Sequence, residues 1–439
     1  MNEFKLYAVT GNPIMFSQSP QIYNTLFDHT NMNARYIRIL ASSTHESLNI
    51  GKELNLGGLN LTSPFKQEAV QFVHKISPQA EKIKAVNLIL FSNSHLSGFN
   101  TDSYGVIKAL NTNGISVQGK NCVILGAGGA GRAAVYGLKK SKAARVTLVN
   151  RTKSKAKKAA HYLGCEYAPL ERLEDMIRDC DIFISCVPDF QSCLDYQQLP
   201  YDLNFLNASY KHFFSEIREK QKTGRYISGL DWLSFQAFLS FRLMTGIKIS
   251  EKTKKTIGKK LRNKKETYKS NIALIGFMGS GKTSVGRCVA DLMGSNFVDS
   301  DKHIEKSEGF SINDVFKKIG EKKFREVEKS SIIKLLQHSR NTVFSMGGGA
   351  VLHSKIIKEL RKSCHVIWLW SPLEETLQRT NFQSRPLLFN SSPRKVKQLL
   401  ISRIPYYAKA SDLVVSSPTG EIKETAQRIK NEIDKTIHN

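Results

Sequence analysis

The sequence predicts an α/β protein in two halves, each built on a largely parallel sheet. Three observations carry that prediction. Short β-rich runs alternate with helix-like stretches along the chain. A glycine-rich turn, Gly126-Ala127-Gly128-Gly129-Ala130-Gly131, follows the apolar run Cys122-Val123-Ile124-Leu125. A second, Gly276-Phe277-Met278-Gly279-Ser280-Gly281-Lys282-Thr283, follows Ile272-Ala273-Leu274-Ile275.

The individual elements fit this plan. In the first half, Cys122 to Gly126, Arg145 to Asn150 and Asp181 to Val187 read as strands. In the second, Ile272 to Gly276, Thr342 to Met346 and His365 to Trp370 do so. The two halves share an architecture without an internal sequence repeat. Between them, the segment from Glu251 to Lys269 is dense in lysine and reads as a solvated helix or tether.

Bulk properties narrow the function classes. A chain of 439 residues has room for more than one core. No stretch approaches the ~20 apolar residues that span a bilayer, so no membrane partner is expected. Phe4 to Val9 reads as a strand rather than a targeting segment, and a cytoplasmic protein is expected. The seven cysteines are scattered and lack disulfide-frame or zinc spacing. The formal charge of +27 suggests nucleic acid at first sight. No nucleic-acid motif accompanies it, so a lysine-rich surface with sites for anionic small molecules is the expectation. The sequence assigns no oligomeric state.

The first glycine turn has the strand-to-helix context in which G-x-G-x-x-G is informative. Gly126, Gly128 and Gly131 would allow a tight turn, close approach of a pyrophosphate and tight helix–strand packing. The next strand ends in Asn150-Arg151-Thr152 with Lys155 beyond. An NAD site would place an acid there; an arginine suits a 2′-phosphate. NADP(H) is therefore the expected cofactor of a Rossmann domain.

Four polar clusters lie upstream: Gly11 to Pro20, including Ser17-Gln18-Ser19-Pro20; Asn60-Leu61-Thr62-Ser63-Pro64-Phe65-Lys66; Ala85-Val86-Asn87; and Asn100-Thr101-Asp102. With them, residues 4 to 245 resemble the shikimate dehydrogenase family. The resemblance implies that Ser17 and Ser19 bind the substrate carboxylate. It makes Lys66 and Asp102 the catalytic pair, with Lys66 as general acid in reduction. Asn60, Thr62, Asn87, Asn100, Tyr210 and Gln236 would form the polar substrate shell. Gly126, Gly128, Gly129, Ala130, Asn150, Arg151, Thr152, Lys155 and Gly229 would bind NADP. Three positions depart from the family pattern: Leu88 after Asn87, Ser185-Cys186-Val187 beside the cofactor, and Asn207 upstream of Tyr210. They bear on cofactor affinity and efficiency. They also leave a second reading open, an active kinase joined to an impaired or regulatory dehydrogenase-like half.

The second glycine turn fits G-x-x-x-x-G-K-[ST]. Its backbone amides would cradle phosphates, with Lys282 reaching the β/γ oxygens and Thr283 placed for Mg²⁺. Further on come Asp299-Ser300-Asp301, Phe324-Arg325-Glu326-Val327-Glu328, Gly347-Gly348-Gly349, Arg385-Pro386-Leu387-Leu388 and Arg403-Ile404-Pro405-Tyr406-Tyr407. Together these are similar to shikimate kinase over about residues 270 to 437. The resemblance implies a P-loop NTPase-type, nucleoside monophosphate kinase-like domain. Gly279, Ser280, Gly281, Lys282, Thr283, Arg379 and Arg385 would bind ATP, with Arg385 in a lid. Thr283 and Asp299 would place Mg²⁺. Asp301 would contact substrate hydroxyls as base or orienting group. Arg325 and Arg403 would clamp the carboxylate, and Gly347, Gly348 and Gly349 would let the backbone approach the substrate.

The expected division is residues 1–103 as substrate domain and 104–248 as Rossmann domain, with the chain returning to the substrate domain near 230–248. Residues 249–269 form the linker and 270–439 the kinase. The implied activity is reduction of 3-dehydroshikimate with NADPH, then ATP-dependent phosphorylation of shikimate. Small-molecule substrates are the expected partners.

Overall fold

The computed structural model describes residues 3–92, 95–188, 190, 192–194, 199–209, 224–262, 269–379, 392–418 and 420–437. In the first part of the chain the strands are β1 (Lys5–Gly11), β2 (Ala34–Leu40), β3 (Leu56–Leu61), β4 (Lys75–Ile76), β5 (Leu88–Ser92) and β6 (His95–Phe99). Then come β7 (Asn121–Leu125), β8 (Arg145–Asn150), β9 (Glu166–Pro169), β10 (Ile182–Ser185), β11 (Asn204–Asn207) and β12 (Tyr226–Ser228). The last are β13 (Asn271–Ile275), β14 (Asn296–Asp299), β15 (Thr342–Ser345), β16 (Cys364–Trp370) and β17 (Leu413–Ser416).

The chain forms two compact units. One comprises Met1–Ser17, Asn33–Asn55 and Lys265–Asn439. Its strands run in the order β14-β15-β13-β16-β17-β2-β1, with every pairing parallel. β13 and β16 are apolar runs apart from Asn271 and His365 and are largely buried, as parallel strands between helix layers are. The phosphate-loop sequence leaves β13 where its neighbours lie to either side, β15 and β16. Such a switch point opens a crevice at the strand ends. The order also joins β2, from the N-terminal region, to β17: Ile39 pairs with Val414 and Leu40 with Val415.

The other unit comprises Gln18–Met32 and Leu56–Lys264. It contains the mixed arrangement β3-β5-β6-β4, antiparallel except for β4 against β6. It also holds a 6-stranded parallel sheet, β12-β11-β10-β7-β8-β9. The glycine turn after β7 again sits at the switch point, between β8 and β10. Apolar side chains cover both faces of this sheet: Leu138, Leu148 and Ile184 on one side, Phe183, Phe205 and Leu203 on the other.

The helix Gly229–Thr245 returns from the Rossmann sheet and packs along the helix Asp102–Thr112. A Cβ on Gly105 would stand 2.8 Å from Gln236 and Trp232, so glycine sets how closely the two axes approach. The lysine-rich segment forms the helix Glu251–Arg262. It is not wholly solvated: Ile257 and Leu261, one turn apart, are buried where it meets the helices Ser19–His29 and Gly229–Thr245. Among the described residues no helix is long and apolar enough to cross a membrane.

Candidate active sites

The dehydrogenase-like site grows from three strand ends. Lys66 follows β3, Asn87 precedes β5, and Asp102 opens the helix after β6. The Lys66 ammonium donates to Asp102 Oδ2 at 2.7 Å, with side-chain exposures of 15% and 8%. The Asn87 amide donates to the other carboxylate oxygen at 3.0 Å and lies 3.1 Å from Gln236 Oε1. Thr101 accepts from Asn87 and meets Gln236 and Ser240. Asn60 donates to the Asn87 carbonyl at 3.0 Å. Trp232 donates its indole N–H to the Asp102 carbonyl at 2.9 Å. The network thus fixes the carboxylate from both sides and aims one charged hydrogen bond at Lys66.

Asn100 has a job beyond the one the resemblance implies. Its amide oxygen accepts the backbone N–H groups of Asp102 and Ser103, and its nitrogen donates to the Ala85 carbonyl. It therefore caps the helix that carries Asp102. Thr62 is half-buried beside the Lys66 turn, and its carbonyl accepts the Phe65 N–H. Ser19 is buried at the start of the helix Ser19–His29. Ser17 belongs to the other compact unit, where its carbonyl accepts from Arg38. Tyr210 lies outside the described residues.

The glycine turn after β7 has the features its sequence predicts. Gly126 has φ +109°. A Cβ on Gly131 would fall 1.7 Å from the Gly126 carbonyl oxygen, so the third glycine is required by packing. Among the described residues nothing lies within 4 Å of a Cβ built on Gly128, which fits approach of a pyrophosphate to the helix N-terminus at Gly129. A Cβ built on Gly129 would stand 2.9 Å from the Lys66 Cβ, so glycine lets the Lys66 side chain lie close to this turn. Ala130 continues that first turn, and Asn150 holds the loop by accepting the Ala127 N–H at 3.1 Å. Arg151, Thr152 and Lys155 are exposed beyond the end of β8, a cationic rim that fits a 2′-phosphate. Gly229 cannot carry a side chain, because its Cβ would meet the Ala208 carbonyl at 2.4 Å.

The departures from the family pattern take visible positions. Val187 packs 3.2 Å from the Cβ position of Gly126. Burial pushes the Cys186 thiol up to about 12, with Lys66 and Asp102 close enough to add opposing charge effects. It is a neutral thiol at pH 7. Asn207 is buried and accepts the Ser209 N–H.

The kinase-like site surrounds the loop after β13. Gly276, Gly279 and Gly281 have positive φ, and a Cβ on Gly276 would meet the Leu369 carbonyl at 2.5 Å. Lys282 folds back to donate to the carbonyls of Gly276 and Phe277. The Ser280 hydroxyl is buried with no hydrogen-bond partner among the described residues, as suits a loop built to surround phosphate oxygens. Thr283 donates to Asp299 Oδ2 at 2.8 Å and lies 3.2 Å from Ser345 Oγ. This hydroxyl–carboxylate pair is an oxygen donor set that fits Mg²⁺. Asp299 also caps the helix Ser300–Glu308, which places Asp301 in its first turn.

The triple glycine gathers the remaining groups. A Cβ on Gly347 would meet Asp301 Oδ1 at 2.4 Å, and one on Gly349 would meet the Arg325 guanidinium at 2.5 Å. Arg403 donates to the Gly348 carbonyl at 3.2 Å, as does the Tyr407 hydroxyl at 2.8 Å. The Arg403 Nε is buried without a hydrogen-bond partner among the described residues, a cation that fits a substrate carboxylate. Arg325 pairs with Glu328 at 2.7 Å, but with exposures of 13% and 3% this is no surface pair. Arg379 pairs with Glu375 and donates to the Ser417 carbonyl. Arg385 lies outside the described residues.

The sequence motifs assign no role to Tyr23, Trp232, Ser240, Ser300, Ser345 or Tyr407. Tyr23 is fully buried near Asn60 and Ser240, and burial raises its hydroxyl pKa. Ser300 accepts the Gly347 N–H at 2.8 Å.

Comparison with known proteins finds two families along the chain. The model of the shikimate dehydrogenase substrate binding domain matches residues 9–89 and that of shikimate/quinate 5-dehydrogenase matches 108–199. The shikimate kinase model matches 278–434. A shikimate dehydrogenase (NADP(+)) of Pyrococcus abyssi is 32% identical over 249 residues, which is 55% of this chain and 93% of that protein. A shikimate kinase of Moorella thermoacetica is 42% identical over 161 residues, 36% of this chain and 92% of that protein. The crystal structure of the Thermus thermophilus shikimate 5-dehydrogenase in complex with NADP(H) and shikimate superposes with a TM-score of 0.51 at 27% identity, covering 58% of this chain and 99% of that one. The chain therefore belongs to two families at once, the shikimate dehydrogenases through its N-terminal part and the shikimate kinases through its C-terminal part.

Proposed function

We propose that this single chain catalyses two successive reactions, reduction of 3-dehydroshikimate to shikimate and phosphorylation of shikimate to shikimate 3-phosphate. The observation that carries the reading is the largely buried Lys66–Asp102 pair, whose lysine side chain lies close to Gly129 of the cofactor turn. It puts a proton donor beside the place where a dinucleotide would bind.

Gly126, Gly128, Gly129, Ala130 and Asn150 would hold NADPH, with Arg151, Thr152 and Lys155 available to its 2′-phosphate, and the bound cofactor would supply the hydride. Lys66 gives its proton to the developing alkoxide and takes it back in the reverse direction. Asp102, braced by Asn87, keeps the ammonium aimed. Ser17, Ser19, Asn60, Thr62, Tyr210 and Gln236 supply the polar contacts that orient the substrate.

In the second reaction ATP with Mg²⁺ supplies the phosphoryl group. Lys282, which donates to the Gly276 and Phe277 carbonyls, would serve phosphate oxygens, and Thr283 with Asp299 would hold the metal. Arg325 and Arg403 grip the carboxylate of shikimate, and Asp301 orients the attacking hydroxyl. Phosphoryl transfer needs mainly such positioning and charge neutralisation. Functionally we divide the chain at residues 103, 248 and 269. The unpaired thiols of all seven cysteines suit a cytoplasmic location, and small anions rather than nucleic acid or membrane are its partners.

The test is a coupled assay with 3-dehydroshikimate, NADPH, ATP and Mg²⁺. Shikimate 3-phosphate is the expected product. Absence of NADPH consumption overturns the first step, and NADPH consumption without phosphorylated product overturns the second.

A further inference from the structure

The loop between β1 and the Ser17 position is gripped by one group 418 residues away in sequence and by another on β2. Glu432, on the helix Ile422–Ile437, is 1% exposed. One of its carboxylate oxygens accepts the backbone N–H groups of Ile14 at 3.0 Å and Met15 at 2.9 Å. Both N–H groups belong to the Gly11 to Pro20 cluster. Such charge-assisted bonds to buried donors are the strong kind. Arg38 on β2 completes the grip. It donates twice to the Ser17 carbonyl, at 2.6 and 3.0 Å, and once to the Asp412 carbonyl at 3.2 Å.

The rest of the contact fixes register. Asp412 immediately precedes β17, which pairs with β2. Arg428 donates to the Leu40 carbonyl at 3.1 Å and pairs with Glu46 at 2.9 Å. The Trp370 indole donates to Glu53 at 2.6 Å. The helix that carries Glu432 also packs on Lys282–Met293, the helix that follows the phosphate loop. Its place is therefore set by the kinase core.

We propose that the kinase part of the chain shapes the substrate loop of the dehydrogenase, with Glu432 and Arg38 as positioning residues for Ser17. The proposal rests on the reading that Ser17 binds the substrate carboxylate. A loop held at two backbone amides and one carbonyl presents its serine in a fixed place; released, it samples others, and substrate must select the competent one.

The experiment uses the full chain and three variants, assayed for NADP-linked oxidation of shikimate and for the kinase reaction. Glu432→Ala is expected to raise KM for shikimate in the oxidation by on the order of tenfold. Dehydrogenase kcat, KM for NADP and both kinase constants should stay within about twofold. Glu432→Gln retains an acceptor oxygen and should restore most of the loss. Ser17→Ala reports on the underlying reading. If Ser17→Ala leaves KM unchanged, the carboxylate assignment fails. If Ser17→Ala raises KM and Glu432→Ala does not, the positioning proposal fails alone. A parallel fall of both activities in Glu432→Ala without a KM change would make the residue a general support of the fold and would also overturn the proposal.

Discussion

Asp102 uses its two oxygens on two different donors, Lys66 and Asn87. A carboxylate fixed this way cannot rotate, so the ammonium it faces keeps one direction. Lys66→Met should therefore lower the NADP-linked oxidation of shikimate by about 10²- to 10⁴-fold, the usual reach of a positioned acid or base. Kinase turnover on added shikimate should be unchanged in the same preparation. Near-normal oxidation would remove Lys66 from its role. Asp301→Asn is expected to do the reverse, abolishing phosphorylation while leaving NADPH consumption intact, as measured by steady-state kinetics. These residues are legible in the sequence because their chemistry depends on residue type at a fixed spacing along one segment. Asn87 announces itself in that way. Ser240 and Trp232 do not: they reach the site from the helix Gly229–Thr245, whose serine and tryptophan look like ordinary helix content until packing brings them to Thr101 and Asp102. Glu328 is legible only as a helix neighbour of Arg325, and its burial comes from the fold.

At the scale of elements, both glycine turns work through what a side chain would hit. Gly131→Ala would place a methyl on the Gly126 carbonyl. It should cost about 1–3 kcal/mol of stability as overpacking and raise KM for NADP more than KM for shikimate, measured by chemical unfolding and initial rates. The kinase sheet carries its own titration. Burial, with the Lys269 charge adding, pushes His365 on β16 down to about 4 from an ordinary 6.5. The unfolded chain then binds a proton that the folded chain refuses across that window. Stability is complete above the unfolded value and falls as pH drops from about 6.5 toward 4. At pH 5 the deficit relative to pH 7 is on the order of 1 kcal/mol for this half-buried ring. Urea unfolding of His365→Gln at the two pH values should show that part of the difference gone. The apolar runs read as strands, β7, β8, β10, β13, β15 and β16, end within a residue or two of where the structure places them, whereas others such as β2, β11 and β17 are not marked in the sequence. The lysine-rich helix Glu251–Arg262 reads as solvated because its two buried residues, Ile257 and Leu261, are outnumbered by lysines, most of them exposed.

For the whole molecule, the least legible feature is the pairing of β2 with β17. Side-chain periodicity marks which residues form strands and which faces are buried. It carries almost no record of which strand lies at an edge, because edge pairing is made by backbone N–H and C=O groups that every residue has. The two family resemblances therefore suggest a chain of separable modules, whereas residues from both ends contribute to one compact unit. That join has a consequence for production and for decay of the protein. Each strand, Ala34–Leu40 and Leu413–Ser416, closes what would otherwise be an open row of hydrogen-bonding groups on the other. A cut in the lysine-rich connection would release fragments that each bear an uncovered, β-branched margin capable of recruiting strands from other molecules. Residues 1–262 and 269–439 made separately should therefore self-associate more strongly with concentration in sedimentation velocity than the full chain. Mixing them should suppress that association. Physical continuity of the chain thus protects it against stray pairing, whatever it contributes to the passage of shikimate.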